Sequence, residues 1–496
     1  MANFCNIRLN AKQILITYCA INALIYIDRG ALSAVIPFLQ GHKHGGLNLS
    51  SSLAGTLGSS FILGYMVTAP MFAHYSQKYH PEYLMCIGLT IWSVAVLMTG
   101  FSESYIFLLI SRTLTGIGEA SFVCLAPPVI MDIAPQDKKN LWIGLFYVAN
   151  VLGYALGFVF GNEIAHALDG WKYPFFFEFI LMTPFLILSL INFKDPKLYA
   201  QGEDGNVHLL SQFKILVKNP VFVNLTLGNS AYTFTITAIS FWGPTYIENN
   251  FKVSSTTATS SLGGITIIVG ILGTYLGSLL IDKKMKNFIN NDSIQQTTKD
   301  SIKTEKCCLI SFQVCTLAFI ISVTGVLINY LSTFLLGLAL GEFILFLSIS
   351  PVSISLMTSI PSNLRGQGNA VSLFFSYALG GFPAPSLIGI FFDVLSKTWG
   401  MTIAAAWLIW ASLFWFLAWR IARSYKGPNN YQWKDACISI KSLAIQDNLS
   451  VNSENPIQQL VIGKDIPEIT SNATSFKTAC LDPQSVSSKS AYYDAE

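Results

Sequence analysis

The chain has 496 residues, of which 52% are apolar and only 11% charged, with a formal net charge of +3. So greasy and charge-poor a composition excludes a soluble globular protein of this length and marks a polytopic membrane protein; the near-neutral balance offers no basic surface for nucleic acid. The nine cysteines are scattered without metal-ligand spacing, so no metal, no cofactor and no disulfide framework is expected.

Apolar runs of about 20 residues predict twelve membrane spans, at 11–38, 53–76, 83–101, 105–133, 140–166, 171–193, 220–248, 257–281, 307–328, 331–360, 366–394 and 401–423. The first is too long for the core of a cleavable signal peptide and is expected to remain as a helix. It carries Asp28-Arg29 close to its middle. Adjacent helical residues point about 100° apart, so one of the two can face a cavity while the other faces a neighbouring helix. Asn22, Tyr26, Arg29 and Ser33 form one polar stripe, which is read as cavity wall and substrate-binding surface; Asp28 then points sideways.

The fourth span, 105–133, holds the most informative chemistry. Arg112 and Glu119 interrupt an apolar run, with Gly116, Gly118 and Ala120 crowded beside them. Seven residues are nearly two turns, which sets the two charges on almost the same face and about 10 Å apart along the axis. A charge near the bilayer centre costs about 2.5 to 3.5 kcal/mol on insertion scales, so both groups must face protein or water, and such groups ordinarily mark the path of a substrate, ion or proton. Asp28 and Glu119 against Arg29 and Arg112 sum to zero. Protonating one carboxylate would upset that balance, which makes Asp28 and Glu119 the candidate proton-coupling residues and Arg112 the candidate anion ligand, with Glu119 competing for it.

Gly153, Gly157 and Gly161 in the fifth span, and Gly263, Gly270, Gly273 and Gly277 in the eighth, keep small residues on one face for close helix packing. Phe241-Trp242-Gly243-Pro244 near the outer end of the seventh span reads as a gate or a lipid-facing lid, with Trp242 added to the substrate-binding candidates. Gly341-Glu342 with Pro351 in the tenth span echoes Gly118-Glu119 with Pro128 in the fourth at the same glutamate-to-proline spacing, which places Glu342 in the corresponding position of a second half. The polar connector 194–219 divides six spans from six. The expected organisation is therefore an all-α protein with a six-helix bundle at 1–193, a cytosolic connector at 194–219, a second six-helix bundle at 220–423 and a polar, disordered tail at 424–496. Lys and Arg gather in the termini and in the connectors 194–219 and 282–306, and the other face has little beyond Lys43, Lys172, Lys252 and Lys397, so both termini are expected in the cytosol.

Tyr26-Ile27-Asp28-Arg29, Phe61-Ile62-Leu63-Gly64-Tyr65-Met66 with Ala69-Pro70, Tyr83-Leu84-Met85-Cys86, the run from Arg112 to Ser121, and Ala126-Pro127 resemble the spinster family of the major facilitator superfamily, and looser likeness continues to 385–389. The resemblance implies the major facilitator fold and an alternating-access secondary transporter that moves lysophospholipids or sphingoid-type lipids, coupled in several members to protons, from lysosomes or across the plasma membrane; a monomer is expected, in a lysosomal or other endomembrane ahead of the plasma membrane. It assigns Asp28, Arg112 and Glu119 to proton coupling and substrate handling, with Arg29 as the dipeptide partner. Three positions depart from the pattern: Gln77 where the superfamily has an aspartate, and Tyr377 and Gly381 where several spinster proteins have His and Asp. They leave open whether proton coupling survives. A carrier of a small organic anion or other metabolite, or a transporter-like sensor without turnover, are the alternative readings. No nucleophile elbow, Walker loop or His-Glu-x-x-His motif points to an enzyme.

Overall fold

A computed structural model of the chain describes residues 10–41, 45–76, 78–135, 138–191, 209–289, 296–360 and 364–424. The connector residues 192–208, Gln77 and the tail from 425 onward lie outside the described residues, and with them the departure from the superfamily aspartate at Gln77 and the expectation of a disordered tail.

The first six helices are α1 (Ala11–Gln40), α2 (Ser51–Tyr75), α3 (Pro81–Gly100), α4 (Tyr105–Ile133), α5 (Lys139–Ala167) and α6 (Tyr173–Ile191). A ten-residue helix α7 (Leu209–Lys218) precedes α8 (Pro220–Phe251), α9 (Ser255–Ile289), α10 (Gln296–Leu327) and α11 (Leu331–Thr358). The eleventh span is α12 (Arg365–Ser376), a five-residue π-helical stretch (Tyr377–Gly381) and α13 (Pro383–Val394); the twelfth is α14 (Lys397–Ala406) running into α15 (Leu408–Ser424). Eleven of these spans are long and apolar enough to cross a membrane. α8 makes the twelfth with 32 residues, but Asn224, Thr226, Asn229, Ser230, Thr233 and Thr235 make it the most polar.

Local chemistry sets the helix ends. Ser50 accepts from the Leu53 N–H at 3.2 Å to start α2, and Asn219 accepts from Val221 and Phe222 N–H to start α8, with Pro220 in the first turn where no donor is needed. Two ends differ from the hydropathy pattern. α9 continues to Ile289 and α10 begins at Gln296, so most of the connector expected at 282–306 is helix. Hydropathy locates the part of a helix that crosses lipid, whereas Asp, Lys, Met and Glu continue a helix into water at little cost.

α1 to α6 pack as one bundle and α8 to α15 as the other. In the first, α4 is wedged between α2 and α3, and α1 lies along α5. The glycine stripe of α5 makes that last seam: a Cβ added to Gly157 would meet Gly30 Cα at 2.9 Å, and Gly161 lies against Ala31 in the same way. The glycine stripe of α9 is covered by Val151 and Ala155 of α5 and by Phe346 and Leu347 of α11.

The bundles meet through α2 against α13 and the π stretch, α5 against α9, and α1 against α8. Among the described residues, the hydrogen bonds between bundles lie toward the Gln40 end of α1. Asp393 on α13 accepts from Ser51 N–H at 3.0 Å, Ser52 N–H at 2.7 Å and Ser52 Oγ–H at 2.5 Å, so a carboxylate from one bundle caps a helix of the other. Ser59 Oγ donates to Phe382 O at 2.6 Å, and Asn162 Nδ2 donates to Thr256 Oγ1 at 3.2 Å. His166 and Ser255 lie 2.5 Å apart. Among the described residues, the Tyr65 and Tyr377 rings, 5.2 Å apart and edge to face, are the ring contact between the bundles nearest the Asn10 end. Beyond them Val67 and Met71 on α2 are exposed. The two bundles are thus closed at the Gln40 end.

Candidate functional site

Two ion pairs occupy the centre of the first bundle. The Arg29 guanidinium pairs with Glu119, Nη2 donating to Oε1 and Nε to Oε2 at 3.4 Å. Arg112 Nη2 donates to Asp28 at 2.9 and 3.2 Å and to Thr115 Oγ1 at 3.0 Å. The four charges therefore do form one balanced cluster, but the pairing runs between helices. Glu119 is matched to Arg29 rather than to Arg112 of its own helix. The physical reason is distance: two turns separate Arg112 from Glu119, whereas neighbouring α1 residues fan out in different directions and each reaches one of them.

The two pairs differ in access. Arg112 and Asp28 expose 0% and 1% of their side chains, and Arg112 has Phe175 of α6 against its face at 5.3 Å. Its Nε and Nη1 have no hydrogen-bond partner among the described residues. Arg29 retains 15% exposure while Glu119 beneath it has none. Tyr26, Phe61 and Tyr65 ring the Arg29 guanidinium at 4.8, 4.7 and 5.7 Å, and Tyr377 of the second bundle faces the same group. Asp28 does point sideways, into the helix packing. Arg112, expected on the cavity, is sealed behind α1 and α6.

The α1 stripe divides in the same way. Tyr26 and Arg29 are only partly covered, but Asn22 and Ser33 are wholly buried. Asn22 Nδ2 donates to Phe146 O at 2.9 Å and bonds Asn150, and Ser33 Oγ donates to Arg29 O at 3.1 Å, so both ends of the stripe lie in the α1–α5 seam. A spacing of 4, 3 and 4 defines a face but not which neighbour covers it. Trp242 is fully buried, its Nε1–H donated to Pro385 O at 2.9 Å and its ring against Phe392; it packs α8 on α13 rather than lining an opening. Its neighbour Phe241 is the residue that reaches Gly58 of α2. Glu342 is buried in the second bundle, accepts from Thr266 Oγ1 at 3.0 Å, and meets no cation among the described residues. A cavity of about 20 Å³ beside it, large enough for one water, is lined by Ile239, Ser322, Phe334 and Leu338.

Two participants escape a reading of the sequence. Glu178, in the second turn of α6, is wholly buried with no donor to either carboxyl oxygen among the described residues, and its position near a span end reads as membrane interface. Tyr377 stands out in the sequence only as a departure from pattern. The signal that identifies it is the π-helical turn, closed by Phe382 N–H donating to Tyr377 O at 2.7 Å, since such insertions recur at functional sites.

What this arrangement can do is bind an anion. An arginine with residual exposure, flanked by three aromatic faces and neutralised by a single carboxylate, can exchange that carboxylate for an incoming anionic group.

The family model of the Major Facilitator Superfamily matches residues 18–385. The chain is 32% identical over 444 residues to a probable sphingolipid transporter, spinster homolog 1 of Arabidopsis thaliana, covering 80% of this chain and 86% of that protein. It is 31% identical over 422 residues to spinster homolog 2 of the same plant, covering 79% and 83%, and 28% identical over 403 residues to the Drosophila melanogaster protein spinster, covering 76% and 61%. In fold it is similar to a bacterial homolog of the human lysosomal transporter spinster in an inward-facing, unoccupied conformation, with a TM-score of 0.68 at 17% identity over 85% of this chain and 99% of that one. An all-helical, twelve-span chain in two bundles, matched along most of its length in these comparisons, belongs to the spinster family of the major facilitator superfamily.

Proposed function

We propose that this transporter moves an anionic, single-tailed lipid, of lysophospholipid or sphingoid type, by alternating access, with Glu119 as the group that gives up its arginine and takes a proton when the headgroup arrives. The observation that carries the reading is the Arg29–Glu119 pair: among the four charges of the cluster, Arg29 alone keeps an exposed surface. A phosphate or carboxylate can accept two hydrogen bonds from the guanidinium fork, while Tyr26, Phe61 and Tyr65 supply an apolar collar on which the first methylenes of a tail can lie. Displaced from Arg29, Glu119 would be a lone buried carboxylate, a state so costly that protonation is the cheaper course. Headgroup and proton then bind together. Arg112 and Asp28 hold α1 to α4 behind the site and keep α1 in register.

The likeness to the plant proteins named as probable sphingolipid transporters supports the substrate class, and the Lys/Arg distribution supports cytosolic termini, with which the conformation closed at the Gln40 end would be an inward-facing one. By the same likeness the transporter works in a lysosomal or other endomembrane. The test is uptake of labelled lysophospholipid and of sphingosine phosphate into proteoliposomes, with and without an imposed pH gradient. Uptake driven by acid on the loading side is expected, and Arg29→Lys, which keeps the charge and loses the fork, should lower affinity by about tenfold or more. Equal uptake by Arg29→Ala, or gradient-driven uptake of small organic anions but not of lysolipids, would refute the assignment.

A further inference from the structure

Behind the exposed pair lies a second, closed group of charges that the transport reading does not use. Glu178 is on α6, three residues after Phe175, so both side chains share the face that α6 turns toward Arg112. The charged groups that face Glu178 are Asp28 from α1 and Arg112 from α4; α3 and α5, which also pack on α6, present no titratable group to it among the described residues. Its carboxyl group lies within hydrogen-bonding reach of the Asp28 carboxyl. Yet among the described residues neither oxygen of Glu178 has an N–H or O–H donor, in a side chain with no exposed surface.

Two carboxylates in contact inside a helix bundle cannot both be ionised against a single guanidinium, for the trio would carry a net negative charge with no water to disperse it. One proton removes every difficulty at once. It makes the trio neutral, turns Glu178 into an O–H donor, and gives that donor the Asp28 carboxylate as acceptor, while Asp28 keeps its two hydrogen bonds from Arg112. We propose that Glu178 and Asp28 share one proton, and that this pair is a proton-binding site distinct from the Arg29–Glu119 pair. Arg112 sets its occupancy: while the guanidinium is on Asp28 the pair holds a single proton, and if Arg112 is withdrawn the pair needs a second to remain neutral. A membrane carboxylic acid of this kind is a store of charge whose filling is tied to the distance between α4 and α1.

The test uses the full-length protein in lipid nanodiscs and reads protonation directly, independent of any substrate, so it stands whether or not the lipid assignment holds. Infrared spectra at neutral pH, with and without exchange into heavy water, report the C=O stretch of each un-ionised carboxyl. All variants, the parent included, carry Glu342→Gln, because Glu342 is itself a buried carboxyl that meets no cation among the described residues; in this parent a carboxylic-acid band is expected, absent once Glu178→Gln is added and retained with Glu119→Gln. Asp28→Asn should also remove it, since Glu178 then ionises as the counter-charge of Arg112. For the same reason Asp28→Asn should remain folded, whereas Asp28→Asn combined with Glu178→Gln should lose much more thermal stability than the two single changes together. A parent spectrum without the band, a band that survives Glu178→Gln, or a band unaltered by Asp28→Asn would overturn the proposal. So would strictly additive stability losses in the double variant.

Discussion

Replacing Asp393 by asparagine should open the Gln40 end of the molecule. The carboxylate accepts three hydrogen bonds from Ser51 and Ser52, at 3.0, 2.7 and 2.5 Å, and stands at the amino end of α2, where the backbone N–H groups are otherwise unpaired. Hydrogen bonds to a charged group contribute about 1.5 to 3 kcal/mol each when buried, but Asp393 is solvent-exposed, which reduces the three together to about 2 to 3 kcal/mol. The favourable alignment with the helix dipole adds about 0.3 to 1 kcal/mol. An asparagine keeps one acceptor oxygen and loses the charge, so about 1 to 2 kcal/mol of closure should disappear, a shift of roughly 5- to 30-fold in the closed-to-open ratio. Starting from about 1% open, the variant would be roughly 5 to 25% open. Spin labels at Leu53 on α2 and Val394 on α13, which are 42% and 72% exposed, report this by double electron-electron resonance. The variant should gain a longer-distance population, and Asp393→Ala a larger one. Distance distributions identical in parent, Asn and Ala proteins would show that the latch contributes nothing and that apolar packing of α13 on α2 alone closes this end.

Other expectations concern the cluster and the seams. Arg112→Ala should destabilise the protein by about 3 to 5 kcal/mol, because it strands a carboxylate in the bundle, and thermal melting in detergent should register this as a large drop. Glu119→Gln keeps the volume of the side chain but cannot titrate, so substrate binding should persist and lose its pH dependence; a binding curve that still tightens with acid would place the titrating group elsewhere. Gly157→Leu should separate α1 from α5, since even a Cβ there lies 2.9 Å from Gly30 Cα, and should be poorly expressed or melt well below the parent; a parental melting curve would mean that the seam yields easily.

The membrane-crossing core of the fold is legible because lipid imposes one rule on every span, and the twelve apolar runs correspond to the twelve helical spans. The seam between α1 and α5 is legible for a related reason, as glycines at intervals of four have few uses in a membrane helix other than close approach. The pairing within the charge cluster is not. Arg112 and Glu119 share a helix face in the sequence, but which of Asp28 and Arg29 each one meets depends on how far α1 slides along α4, and no periodicity encodes that offset. Glu178 is hidden by its setting, five residues into α6 and among phenylalanines, where a carboxylate looks like a headgroup contact until the packing of α6 on α1 brings it to Asp28. Tyr377 is hidden differently. Its orientation comes from backbone hydrogen bonding of the wrong length, which side-chain patterns do not reveal.

That irregular turn also governs what lies beyond it. A π turn accommodates one residue more than an α-helix would, and each residue advances a helix by about 100°. α13 therefore enters with its phase rotated relative to the continuation of α12, and it is this rotated phase that presents Pro385 to Gly55, Ser386 to Ser59 and Asp393 to Ser51. Straightening the turn would swing all three contacts around the barrel of the helix together and dissolve the seam along its whole length. Gly380 and Gly381 leave room for this turn, and Gly380 sits directly against the Ser230–Phe234 backbone of α8. The closed end and the ring of Tyr377 beside Arg29 are thus two readings of a single helical register, so that a change of winding at the arginine would be felt, in one step, at the far mouth of the protein.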